Sequence, residues 1–112
     1  MSKEFSELIK MSVKLSGEYA EFQKANNQKE WTAYDRTIGL VGDVGDLCKL
    51  IQSKFNLRKE PEDIDLALSH ELGDCLWSIV IISKMLDIDI ENSYLKTLEN
   101  IQSRIEAEKE RL

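Results

Sequence analysis

Ser69-His70-Glu71-Leu72-Gly73-Asp74-Cys75-Leu76-Trp77-Ser78-Ile79-Val80-Ile81-Ile82 (residues 69–82) is apolar on nearly every side of a helix, yet carries two carboxylates one turn apart. Upstream, Leu66, Ala67 and Leu68 continue the same character. A helix of this kind is a core helix, surrounded by others. Pro61, Glu62 and Asp63 suit its first turn, and the pattern runs to about Leu86. Asp87-Ile88-Asp89 then forms a tight turn, with Asp89 as the N-cap of a further helix from about Ile90 to Glu108.

Working back toward the N-terminus, a second helical segment runs from about Tyr34 to Lys54, and a polar connector spans Asn56 to Glu60. The first helix runs from about Glu4 to Ala25, where Phe5, Leu8, Ile9, Val13, Leu15, Tyr19 and Phe22 make a broad apolar stripe. Asn26-Asn27-Gln28 interrupts it. One proline, few glycines and no repeat leave little besides helix. The expectation is an all-α, four-helix bundle-like protomer forming one domain over residues 1–112. Four helices cover an all-round apolar helix poorly, so a homodimer or homotetramer is expected.

The chain is acidic, with a formal charge of −6, and it has no basic block. That disfavours direct binding to duplex nucleic acid, which needs clustered Lys and Arg. The longest continuous apolar run, Ile79 to Ile82, is far below a membrane span, and Met1-Ser2-Lys3-Glu4 has no secretory pattern. Cys48 and Cys75 sit in apolar helical patterns, form no CxxC, and read as small buried hydrophobes. A cytoplasmic, non-membrane protein fits these features.

Gly39-Leu40-Val41-Gly42-Asp43-Val44-Gly45-Asp46-Leu47 lies on the second helix. Asp43 and Asp46 share a face there, as Glu71 and Asp74 do on the third helix. Acidic pairs at this spacing are usually solvated surface charges. Two pairs amid apolar residues are different, because buried carboxylates repel unless a cation neutralises them. All-oxygen ligation selects Mg²⁺, with Mn²⁺ possible, over zinc. A di-iron bundle needs Glu-x-x-His on two helices, and His70 is the only histidine. His70 reads as a surface residue and Trp77 as core. Gly39, Gly42 and Gly45 each cost the helix about 1 kcal/mol relative to Ala, which makes sense where a helix or ligand approaches closely. They do not form a Walker loop, lacking its Lys-Ser/Thr ending and preceding strand.

From about Trp31 to Arg104, these motifs in this order resemble the MazG-like nucleoside triphosphate pyrophosphohydrolases, and most nearly their dCTP pyrophosphatase-type branch. The resemblance implies that Asp43, Asp46, Glu71 and Asp74 coordinate Mg²⁺ and carry the catalysis. It implies that Lys96, Asn100 and Arg104, on one face of the fourth helix, contact phosphates, and that Trp31 stacks on the base. The expected reaction is cleavage of a (d)NTP to (d)NMP and pyrophosphate, with nucleotide-pool house-cleaning as the role the resemblance implies. Four positions depart from the family. Asp43 and Asp46 stand where it usually has Glu, Gly42 replaces a frequent Glu (as in that branch), and Ser53 occupies a position where the branch has a second stacking aromatic. The alternative reading is a catalytically weak nucleotide-binding relative or a helical oligomerisation module.

Overall fold

The computed structural model describes residues 3–55 and 63–112. Its elements are α1 (Phe5–Ala25), α2 (Ala33–Lys54), α3 (Ile64–Met85) and α4 (Ile90–Arg111). The fold is all-α, as expected. The connector at Asn56–Glu60 and the residues Pro61 and Glu62 lie outside the described residues.

Each boundary has a local cause. Thr32 caps α2 through a capping box: the Asp35 backbone N–H donates to Thr32 Oγ1 at 3.1 Å, and the Thr32 N–H donates to Asp35 Oδ2 at 3.0 Å. These contacts, Thr32's backbone donation foremost, hold the Asp35 carboxyl below the ordinary range. Asp63 caps α3 by accepting from the Leu66 N–H at 3.0 Å, and Asp89 caps α4 by accepting from the Asn92 N–H at 3.0 Å. Helices α1 and α3 stop the same way, on residues in the left-handed region, Asn27 (φ 55°) and Asp87 (φ 58°). The next N–H then reaches back five residues, Gln28 to Gln23 O and Ile88 to Ser83 O, both at 2.8 Å.

Helices α2 and α3 form the most extensive contact, and their contacts run antiparallel. Lys54 at the end of α2 pairs with Asp65 at the start of α3 (2.7 Å), Asp43 and Asp46 lie level with Glu71, and Trp31 and Arg36 share a cavity with Trp77. Helix α1 packs across α3, with an apolar hollow of about 290 Å³ between them. Among the described residues, the buried apolar ones, Ile64, Cys75, Val80 and Ile81, are all on α3, so α3 is the core helix.

One expectation is corrected here. Cys48 is exposed, unlike Cys75, because Cys48 lies on the side of α2 turned from α3 in the single chain. By length and composition alone, α3 is also apolar enough to cross a membrane, with a mean hydropathy of 1.3 over its most apolar window. Isolated polar residues break its apolar runs without lowering the average, which the longest run therefore understates. Flanked by α1 and α2 and bearing Glu71, it has the setting of a core helix, which passes the same test.

The single chain is open on one side: α4 has no buried residue. Its first turns touch α3, and Tyr94 meets Phe5 of α1 edge-on at 6.4 Å. Beyond them it projects freely, and the chain extends 61 Å along its longest axis.

Candidate metal and nucleotide site

Because the α2–α3 register is fixed, three of the four carboxylates meet. Single ligand oxygens of Asp43, Asp46 and Glu71 all lie within 4.8 Å of one another. Asp43 and Glu71 are half-buried and Asp46 is exposed. Burial foremost, then the neighbouring Asp43, Asp46 and Asp74 carboxylates, pushes the Glu71 carboxyl above its ordinary range, with His70 opposing. Glu71 Oε2 is sealed from solvent and has no hydrogen-bond partner. A buried acceptor facing two more carboxylates is poorly served by protein alone. A hard divalent cation satisfies it, and the all-oxygen donor set is the one such ions prefer, so the residues present fit the ion.

Asp74 is placed differently. It stands outside the triplet, its Oδ2 3.2 Å from His70 Nε2 one turn earlier on α3. It is still near enough for its charge to act on Glu71 and on the buried thiol of Cys75, which burial and then Asp43, Glu71 and Asp74 push up. His70 is exposed, as expected, but it has a partner in the site that the sequence reading did not give it.

The phosphate-contact candidates are not brought to the carboxylates within one chain. Lys96, Asn100 and Arg104 are exposed on α4, and among the described residues no hydrogen bond or ion pair joins them to α2 or α3. Arg104 lines a shallow hollow made of α4's own residues, including Ile101, Ile105 and Glu108.

Trp31 sits at the opposite end of the carboxylate face. Its ring covers Gly39, where a Cβ would come within 3.2 Å of Trp31 Cζ3. Gly39 therefore makes room for an indole, whereas a Cβ at Gly42 or Gly45 would meet nothing within 4 Å in the single chain. Gly39 and Asp43 are four residues apart, so the indole lies about one turn, roughly 6 Å, from the acidic cluster along α2. Arg36 stacks on Trp31 at 6.0 Å from the ring centroid. Together with Tyr19, Gln23 and Trp77 these residues line a cavity of about 290 Å³. Trp77 is accordingly half-buried rather than sealed in the core. Sequence reasoning missed Arg36 and Gln23. Arg36 had a legible signal, standing seven residues before Asp43 and hence on the same helical face.

An all-α fold whose packed helix pair gathers three carboxylates beside an aromatic cavity is compatible with a divalent-metal site. Residues 32–107 match the MazG nucleotide pyrophosphohydrolase domain, and the chain belongs to that family. No curated protein and no solved structure matches the chain.

Proposed function

We propose that the protein is a Mg²⁺-dependent nucleoside triphosphate pyrophosphohydrolase, converting a (d)NTP and water to a (d)NMP and pyrophosphate. The single observation carrying this is the Asp43–Asp46–Glu71 convergence, with its orphaned Glu71 oxygen, inside the segment that matches the family. Those three side chains would hold the ion, with Asp74 as a fourth carboxylate one turn along α3. The bound ion supplies charge neutralisation for the triphosphate and acidifies water. In the reaction one P–O bond forms from water and the α–β phosphoanhydride bond breaks. Asp74, held by His70, is oriented beside the cluster without being consumed by it. Trp31 offers a stacking face for the base. Asp at both α2 positions is one methylene shorter than Glu, which favours a compact site and makes Mn²⁺ a natural substitute. Gly42, a residue that the dCTP pyrophosphatase-type branch also has there, supports reading the chain as one of that branch.

We also propose a cytoplasmic homodimer or homotetramer. A folded monomer of 12.9 kDa exposes about 6,300 Å². This chain exposes 9006 Å², an excess on the scale of an obligate subunit interface. Its Cα radius of gyration of 17.8 Å likewise exceeds the roughly 13 Å of a compact chain this long. Tyr94, Leu95, Leu98, Ile101 and Ile105 of α4 remain exposed. A second copy would cover them and would supply Lys96, Asn100 and Arg104 to a site formed between chains.

Pyrophosphate release from a panel of nucleoside triphosphates with Mg²⁺, compared with the same panel in chelator, tests the reaction. Metal-dependent release supports it. Nucleotide binding without release would identify a catalytically silent relative, the reading motivated by the two shortened carboxylates.

A further inference from the structure

Helix α2 is amphipathic in an inverted sense. Of its charged residues, Asp35 is taken up by the N-cap, Arg36 lines a cavity with Trp77 of α3, Asp43 and Asp46 meet Glu71 of α3, and Lys54 pairs with Asp65. Only Lys49 is left for the outer face. That face is apolar and open to solvent. Tyr34, Ile38, Val41, Gly45, Cys48, Gln52 and Phe55 recur at alternating steps of four and three residues, the spacing of a seam that packs against another helix. Tyr34 is 75% exposed, Val41 69% and Phe55 71%, and Cys48 is exposed as well. A surface helix normally turns its polar side outward. Here the order is reversed, so the outer face is built to be covered.

Charge, symmetry and area together say what covers it. With Lys49 as its one charge, the face suits an apolar partner surface, as in the charge-depleted centre of a protein interface. The seam is also nearly symmetric about Gly45. Val41 and Cys48 stand four and three residues to either side, Ile38 and Gln52 seven, and Tyr34 and Phe55 eleven and ten. Large side chains at both ends with a glycine at the middle are self-complementary, which a two-fold axis requires of a contact between identical chains. A Cβ at Gly45 would meet nothing within 4 Å, so the chain's own packing does not require a glycine there. The helix loses about 1 kcal/mol by it relative to Ala, a loss that is offset where another backbone approaches closely. Finally, the chain exposes about 2,700 Å² more than a folded monomer of its mass. Each partner gives roughly 800 Å² to a standard interface, so the stripe on α4 does not account for the excess alone.

We propose that the outer face of α2 packs against the same face of α2 in a second copy of the chain, antiparallel and crossing at Gly45. This rests on the homo-oligomer proposed above and goes beyond it by assigning a second face and a pairing. The contact lies behind Asp43 and Asp46, on the same turns of α2, and so braces the segment that presents those carboxylates.

The two native thiols report on the contact, because Cys48 is exposed in the single chain whereas Cys75 is buried. In the assembled full-length protein a colorimetric thiol reagent should find Cys48 protected. Val41→Glu, a change at a position exposed in the single chain, should shift sedimentation toward monomer and make one thiol per chain react about 10-fold faster or more. Val41→Cys then identifies the occupant and keeps the test open if the glutamate variant misfolds. Within one chain, positions 41 and 48 are seven residues, roughly 10 Å, apart along the helix, too far for a disulfide. In the antiparallel pair, position 41 faces Cys48 of the second copy, so mild oxidation should give a covalent dimer on a non-reducing gel. The wild type, whose two Cys48 thiols lie on opposite sides of the axis, should stay uncrosslinked, as should Val41→Cys combined with Cys48→Ser.

Prompt reaction of Cys48 in a protein that still sediments as an oligomer overturns this contact alone. A monomer at every concentration overturns the homo-oligomer with it. Protection of Cys48 without the Val41→Cys cross-link also overturns the pairing, since something other than a second α2 then covers the face. A cross-linked dimer that releases no pyrophosphate under any metal would remove the proposed reaction and leave this contact standing.

Discussion

The α2–α3 pair and α4 are built from helices of equal length, 22 residues each, but they satisfy their apolar surface in opposite ways. The pair is matched across α2 and α3 by Lys54–Asp65 at one end and by the cavity that Trp31 and Arg36 share with Trp77 at the other, and that register places three carboxylates together. Helix α4 is capped as well as α3, yet it has no buried residue, leaves most of its apolar side chains exposed and, among the described residues, joins neither Lys96 nor Arg104 to α2 or α3. Local signals thus suffice to make a helix, whereas only long-range packing makes a site. One half of the proposed active centre is complete in the single chain, and the other half waits on a neighbour.

The largest effect expected from breaking the self-sufficient half is on turnover. Glu71→Gln keeps the shape of the side chain but removes the charge that helps hold the ion. It should lower Mg²⁺-dependent pyrophosphate release beyond the ~10–100-fold typical of losing an outer partner of a metal, with the helical circular dichroism unchanged. Retained turnover would place the ion elsewhere.

The dependent half is probed next. Leu98→Glu combined with Ile105→Glu puts like charges into the exposed apolar stripe of α4. Analytical ultracentrifugation should show a shift from dimer or tetramer toward monomer, with a parallel loss of activity. An unchanged sedimentation profile would mean that α4 is not the contact surface.

The glycines sharpen the contrast on a scale of about 1 kcal/mol each. Gly39→Ala should destabilise in chemical unfolding, since its methyl crowds the Trp31 ring. Gly42→Ala and Gly45→Ala should stabilise the monomer generated by the α4 double variant, where nothing stands near them. In the wild-type background, a loss of assembly on the same changes would show that a partner helix approaches there.

Thr32→Ala is expected to cost about 1 kcal/mol through the lost N-cap. Its effect should depend on pH in a defined direction. Asp35 has a lowered carboxyl pKa in the folded chain, so its stabilisation is complete above the ordinary carboxylate range. It disappears as pH falls through the lowered value. Thermal unfolding of both proteins from pH 7 into strong acid should therefore show the gap narrow by the lost hydroxyl–carboxylate contact alone, while the lost cap on the Asp35 N–H persists at every pH.

Much of this was legible in the sequence because it depends on local pattern. The four helices, the Asp89 cap and the i, i+3 carboxylate pairs all follow from spacing within one element. Helix α2 begins at Ala33 rather than Tyr34 because Thr32 and Asp35 form their capping box one residue sooner, and α4 continues to Arg111 past the expected Glu108. What spacing could not show was relative placement. Asp74 turns to His70 instead of joining the triplet, a choice made by side-chain geometry on one helix. Cys48 and Cys75 have similar neighbours in sequence, but only Cys75 is on the side of its helix that the packing closes. Gln23 reads as an ordinary polar residue of α1 until Trp31 and Trp77 are seen to enclose it.

The most direct test of the carboxylate centre is the thermal midpoint of the wild type and Glu71→Gln as Mg²⁺ is added without nucleotide. Binding to the folded state alone stabilises by about 2.7 kcal/mol when the ion is at 100 times its Kd. The wild-type midpoint should climb with Mg²⁺ while that of Glu71→Gln stays nearly flat. Identical curves for the two proteins would contradict a cation held by Asp43, Asp46 and Glu71.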